Sequence, residues 1–135
     1  GNNDASKALS DSEDLLTKTP DMAGIFADNE LEGDGAGTAV SDKKLGAKLC
    51  LVAFDTSDQE VNFVRNGVID GLIVQNPYMM GYAGVWYALA ASHGVVFPKY
   101  VDSGVHVITK KNIDSPAMAG LLDPKKYKLT AFLGE

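Results

Sequence analysis

Three polar side chains occupy comparable places in this sequence. Asn29 follows the apolar run 22–27, Asp55 follows the run 49–54, and Gln75 closes the run 71–75. An ionised carboxylate only accepts hydrogen bonds, whereas a carboxamide both donates and accepts. The set therefore suits a ligand whose own groups donate and accept at once, such as the hydroxyls of a sugar or polyol, with the charged acceptor making the stronger bonds. No nucleophile with a neighbouring base accompanies the three, so they read as holding a ligand rather than transforming it. Asn29 and Asp55 also stand where helix N-caps belong, and capping alone would account for either one. Gln75 has no such alternative.

Other candidate motifs dissolve on inspection. Gly33, Gly35 and Gly37 lack the third spacing of a dinucleotide fingerprint, which would place glycine or alanine at Thr38, and they fall inside an expected helix. Asp28, Glu30 and Glu32 imitate the start of a calcium loop, but Ala39 occupies the position that needs a bidentate glutamate. Cys50 sits in the run Leu49-Cys50-Leu51-Val52-Ala53-Phe54 and is expected to be a small buried hydrophobe. Neither His93 nor His106 stands in a motif that would activate it. Trp86, Tyr82 and Tyr87 read as packing residues of a helix, not as a stacking platform. No enzyme, metal or cofactor is expected.

Composition excludes several classes. The chain has 135 residues, 45% hydrophobic and 22% charged, with a net charge of −6. That balance describes a globular domain large enough to build a core. Nucleic-acid binding needs clustered lysines and arginines, and the basic groups Lys43-Lys44, Lys110-Lys111 and Lys125-Lys126-Lys128 are short. No apolar stretch reaches the length of a membrane span.

Periodicity and punctuation supply the elements that would position the three polar residues. Asp4 caps a helix to about Lys18. The run 22–27 suits a strand, and a glycine-rich helix is expected from about Glu32 to Leu45. Leu49–Phe54 is a second strand; Ser57 and Glu60 then have the spacing of a capping box, opening a helix that ends near Asn66-Gly67. Gly71–Gln75 is a third strand. Pro77 suits the first turn of a helix to about Ser92. Val105–Thr109 alternates as a fourth strand, followed by a helical turn near 117–121. Apolar strands separated by helices predict an α/β fold, a parallel sheet flanked by helices on both faces. Right-handed crossovers would bring the carboxyl ends of all strands to one edge, where open parallel sheets bind ligands. Asn29, Asp55 and Gln75 belong to that edge.

These residues also carry a family resemblance. Leu15-Leu16 through Pro20-Asp21, followed by Gly24-Ile25-Phe26-Ala27-Asp28-Asn29-Glu30, resembles the ribose-type periplasmic binding proteins, in which a strand ends in an asparagine that contacts sugar. Val52-Ala53-Phe54-Asp55 is similar to the family's next strand and its ligand-binding aspartate. Gly67-x-x-x-Gly71-Leu72-Ile73-Val74-Gln75-Asn76-Pro77 resembles the segment whose glutamine binds sugar just before the chain crosses to the other lobe. Val101-Asp102-Ser103-Gly104-Val105 through Thr109-Lys110-Lys111-Asn112-Ile113 is similar to the return strand. Asn3 falls near another contact position of the relatives.

The resemblance implies a partial lobe of the type I periplasmic-binding-protein fold. Residues 1–76 would be part of the carboxyl-terminal ligand-binding lobe, 77–103 the segment crossing to the amino-terminal lobe, and 104–135 the return strand and tail. It implies a sugar or polyol as ligand, held by Asn29, Asp55 and Gln75 for an ABC importer, with permease subunits as partners. The setting would be extracytoplasmic, in the periplasm or lipid-anchored at the cell surface. An effector-binding domain of a LacI-type repressor, or a sugar-sensing domain, shares the fold and is the alternative. Since the amino-terminal lobe is expected to lie outside this sequence, the chain reads as a carboxyl-terminal fragment. The helix from Pro77, with Val85, Trp86 and Leu89, would then lack a partner, and the chain is expected to self-associate.

Overall fold

The computed structural model describes residues 2–126. Helix α1 (Ala5–Lys18) starts at Asp4, whose Oδ1 accepts from the Ser6 and Lys7 N–H groups at 2.9 and 3.0 Å. Its buried residues, Ala8, Ser12 and Leu16, recur at helical spacing. They pack on α2 (Glu30–Asp42), which begins directly after its cap Asn29, two residues earlier than expected. The glycines of α2 are explained by close approach. A Cβ on Gly35 would stand 2.6 Å from the Ala5 carbonyl oxygen and from the Ala8 Cβ, so only glycine lets α1 settle there.

Four strands form one sheet in the order β1 (Gly24–Phe26), β2 (Cys50–Phe54), β3 (Gly71–Gln75) and β4 (Val105–Ile108). The first three are parallel, with Phe26 beside Val52 and Phe54 beside Ile73. The fourth is antiparallel, pairing Val105 with Gln75 and Ile108 with Leu72. This corrects the all-parallel expectation. After β3 the chain departs into α4 (Pro77–Ser92) and re-enters the sheet at the end it left, so β4 must run back down it.

The cover of the sheet also differs from expectation. Strands added successively in one direction place their right-handed crossover helices on the same face. Accordingly α2 and α3 (Asp58–Asn66) contact each other, and below them lie Leu51, Ala53, Leu72, Val74 and Ile108, all buried. The opposite face is more open among the described residues: Phe26 is 62% and Val107 56% exposed. Helical cover on both faces is therefore corrected to cover on one face within this span. Cys50 points to the open side and is exposed, not buried as expected, because the pleat alternates it with Leu51.

Helix α3 carries the anticipated capping box: Ser57 Oγ accepts from Glu60 N–H at 2.9 Å and Glu60 Oε2 accepts from Ser57 N–H at 2.8 Å. Gly67 ends it at φ +74°, a left-handed conformation that glycine adopts without strain. Helix α4 follows the buried cap Asn76, whose Oδ1 accepts from Met79 N–H at 3.0 Å. Met79 is its only buried residue. Tyr78, Tyr82 and Trp86 contact one another along the helix, with centroids 6.5 and 6.3 Å apart, yet Val85 is 71% and Trp86 53% exposed. A short helix, α5 (Ala119–Leu122), lies beside the core and is followed by a 3-10 turn at Pro124–Lys126. Lys128 and the remainder of the expected tail, residues 127–135, lie outside the described residues.

Candidate ligand-binding site

The strand register brings the three polar residues to one edge. Asn29 lies three residues beyond Phe26, and Asp55 three beyond Val52, which are register partners. Asp55 extends the β2–β3 ladder by donating its N–H to the Ile73 carbonyl at 2.8 Å. The neighbouring Gln75 then donates from Nε2 to Asp55 Oδ1 at 3.0 Å. Both side chains are half-buried.

The capping alternatives resolve differently for the two residues. Asn29 does cap α2: its Oδ1 accepts from Glu32 N–H at 3.1 Å, and its Nδ2 donates to Asp28 Oδ1 at 3.3 Å. Asp55 does not cap α3, because Ser57 does. Asp55 instead adopts φ 71°, a left-handed conformation costly for most L residues though better tolerated by aspartate. The turn is held by the ladder bond to Ile73 and by the side-chain bond from Gln75. The structure thus places Asp55 and Gln75 in direct contact, while Asn29 stands at the adjoining strand end with its amide engaged locally. Asn3 is close to this end of α2, donating its N–H to Glu32 Oε1 at 3.2 Å; that bond holds the Glu32 carboxyl below its usual range.

One residue near the site was read from sequence only as a cap. Glu60 is 0% exposed, and its Oε1 is buried with no hydrogen-bond partner among the described residues. Burial pushes its carboxyl up to about 8; the Ser57 N–H opposes this, and the negative Asp34, Glu30 and Asp55 add to it. The available signal was its spacing: four residues before Val64, Glu60 lies on the buried stripe of α3.

Two hollows lie away from this edge. One, about 510 Å³, is formed by α3 and the segment around Ile113–Lys126, with Arg65 bonded to Asp114 across it at 2.9 Å. The other, about 500 Å³ and apolar, runs along α4 past Tyr82 and Trp86.

Hydrogen-bonding side chains gathered at the carboxyl ends of parallel strands stand where open α/β sheets bind small ligands. The chain belongs to the periplasmic binding protein domain family, whose family model matches residues 1–94. It is 37% identical over 82 residues to the ribose import binding protein RbsB of Haemophilus influenzae, covering 61% of this chain and 27% of that one. A carbohydrate transporter solute binding protein from Agrobacterium radiobacter, solved in complex with D-arabinose, is 38% identical with a TM-score of 0.85. That match covers 89% of this chain and 41% of the solved one. An ABC transporter solute binding protein from Agrobacterium vitis, bound with α-D-tagatopyranose, is 34% identical with a TM-score of 0.85, covering 90% and 41%. The chain therefore spans well under half the length of these relatives. Each is named as a binding protein, none as an enzyme. Among the described residues, no helix is long and apolar enough to cross a membrane.

Proposed function

We propose that this chain is part of the carboxyl-terminal lobe of a sugar-binding protein serving an ABC importer, and that Asn29, Asp55 and Gln75 hold the sugar. The observation that carries this reading is the Gln75–Asp55 bond at the sheet edge. It presents one carboxylate oxygen already oriented by an amide, leaving the other acceptor sites and the glutamine carbonyl for vicinal hydroxyls. A monosaccharide of the class bound by the relatives, a pentose or hexose, fits this inventory. Asn29 adds its amide from the next strand end.

In this reading residues 1–76 belong to the binding lobe, 77–103 cross to an amino-terminal lobe, and 104–135 return. The second lobe would cover the exposed side of α4 and close on the sugar by a hinge motion. The closed form would be presented to permease subunits outside the cytoplasm, without chemistry on the ligand. The transport names of the relatives favour this over an effector-binding domain of a repressor. Taken alone, the chain would bind sugar weakly and cover α4 with that of a second copy.

Calorimetry of the two-lobed protein against D-ribose, D-arabinose and D-tagatose, with glycerol as control, tests the proposal. Saturable binding of at least one sugar is expected. Heats no larger than those of glycerol for all three would contradict it.

A further inference from the structure

The buried carboxyl of Glu60 stands between the two segments that carry Asn29 and Asp55. On one side its Oε2 accepts from Ser57 N–H at 2.8 Å, two residues after Asp55, and the Ser57 hydroxyl in turn donates to Asp34 Oδ1. On the other side its Oε1 lies against Gly33, where an added Cβ would collide with it. Gly33 donates its own N–H to the Asn29 carbonyl at 2.9 Å. Ala53 of β2 closes the third side, 3.0 Å from that same Cβ position.

We infer that Glu60 is a positioning residue for the ligand site: in its neutral form it clamps the first turn of α2 to the first turn of α3, fixing Asn29 relative to Asp55, and its ionisation loosens the clamp. This rests on the sugar-binding reading above. Three observations favour it. The carboxyl is fully buried, and its Oε1 has no partner among the described residues, so charging it there is costly. The charged groups acting on it are Asp34 and Glu30 of α2 and Asp55 of the loop after β2, all acidic, so ionisation repels the α2 side while the Ser57 N–H bond keeps the carboxylate on the α3 side. Ser57 serves Glu60 and Asp34 at once, so a shift of the carboxyl is passed directly to the Asp55 turn. With its carboxyl pushed up to about 8, the clamp would be set near neutral pH and released in mild alkali. The affinity for sugar would then fall by up to about tenfold for each unit of pH above that value.

The test is an NMR pH titration of the full chain, wild type and Glu60→Gln, without sugar and with D-ribose, D-arabinose or D-tagatose. The amide signals of Asn29, Gly33, Asp55 and Ser57 are expected to shift together with the Glu60 carboxyl near pH 8, a transition missing in Glu60→Gln. A residue acting only as a helix cap would move Ser57 and leave Asn29 still. Asn29 unmoved while Glu60 titrates in the wild type overturns the inference, even where the variant fails to fold. So does the same transition persisting in Glu60→Gln. If all four amides titrate together and D-ribose, D-arabinose and D-tagatose cause no shift at any pH, the clamp stands and the sugar assignment falls.

Discussion

Gln75 Nε2 lies 3.0 Å from Asp55 Oδ1, joining the ends of two adjacent parallel strands through their side chains. Twenty positions apart in sequence, the two residues meet because the β2–β3 register sets Phe54 beside Ile73. A carboxylate at that rim is oriented before any ligand arrives, which lowers the ordering cost of binding.

Removing that carboxylate should therefore weaken sugar binding strongly. In the two-lobed protein Asp55→Ala is expected to lose affinity by about tenfold or more, the usual effect of deleting a charged hydrogen-bonding partner. Calorimetry giving unchanged affinity would take Asp55 out of the site.

The left-handed turn at Asp55 separates binding from stability. Alanine at φ 71° is strained, so Asp55→Ala should also cost about 1–2 kcal/mol of stability. Glycine adopts this turn freely, and Asp55→Gly should remain within about 1 kcal/mol of wild type while losing affinity equally. Urea unfolding of the two variants checks the difference.

Glu60 makes stability depend on pH with a defined sign. Its carboxyl lies near 4.5 when unfolded and is raised to about 8 in the fold, so the folded state binds the extra proton between those values. Its contribution is fully present below 4.5 and is lost as pH rises through about 8. Glu60→Gln should remove this dependence. The stability of the variant relative to wild type should rise by as much as a few kcal/mol from pH 4 to pH 9, since one unit corresponds to about 1.4 kcal/mol. Unfolding curves at several pH values measure it.

Gly33 and Glu60 should be energetically coupled. Gly33→Ala drives a methyl into the Glu60 carboxyl and is expected to destabilise by about 1–3 kcal/mol. Combined with Glu60→Ala, which vacates that space, the added cost should largely vanish, a coupling readable from a double-mutant cycle.

Val85, Trp86 and Leu89 of α4 are all at least half exposed. Analytical ultracentrifugation of the chain should find dimers or larger species, shifted toward monomer by Trp86→Asp. A monomer at high concentration with α4 helical would contradict association through this face.

Much of this arrangement was legible where punctuation is chemical. The span of β3 was bounded by Gly71 and Asn76-Pro77, and α4 began at Pro77, both as read from sequence. Asp4 and the Ser57–Glu60 box made their expected caps because such bonds are local. The direction of β4 was not legible, since it depends on the edge at which the chain re-enters after α4. Nor was the exposure of Cys50, which the pleat and the one-sided helical cover decide. Asn29, Asp55 and Gln75 could be assigned to one edge, but the Gln75–Asp55 bond rests on register between distant segments. The spacing of Glu60 on the α3 stripe signalled its burial, but its contact with Gly33, from another helix, was not legible.

A sugar held at this edge would be reported directly by the side-chain amide protons of Gln75 and Asn29. Titrating D-ribose, D-arabinose or D-tagatose into the labelled chain should shift both amide pairs saturably, together with the Asp55 backbone amide, even if binding is weak. Saturable shifts confined to the hollow beside Arg65 and Asp114, with these three residues unmoved, would place the sugar elsewhere.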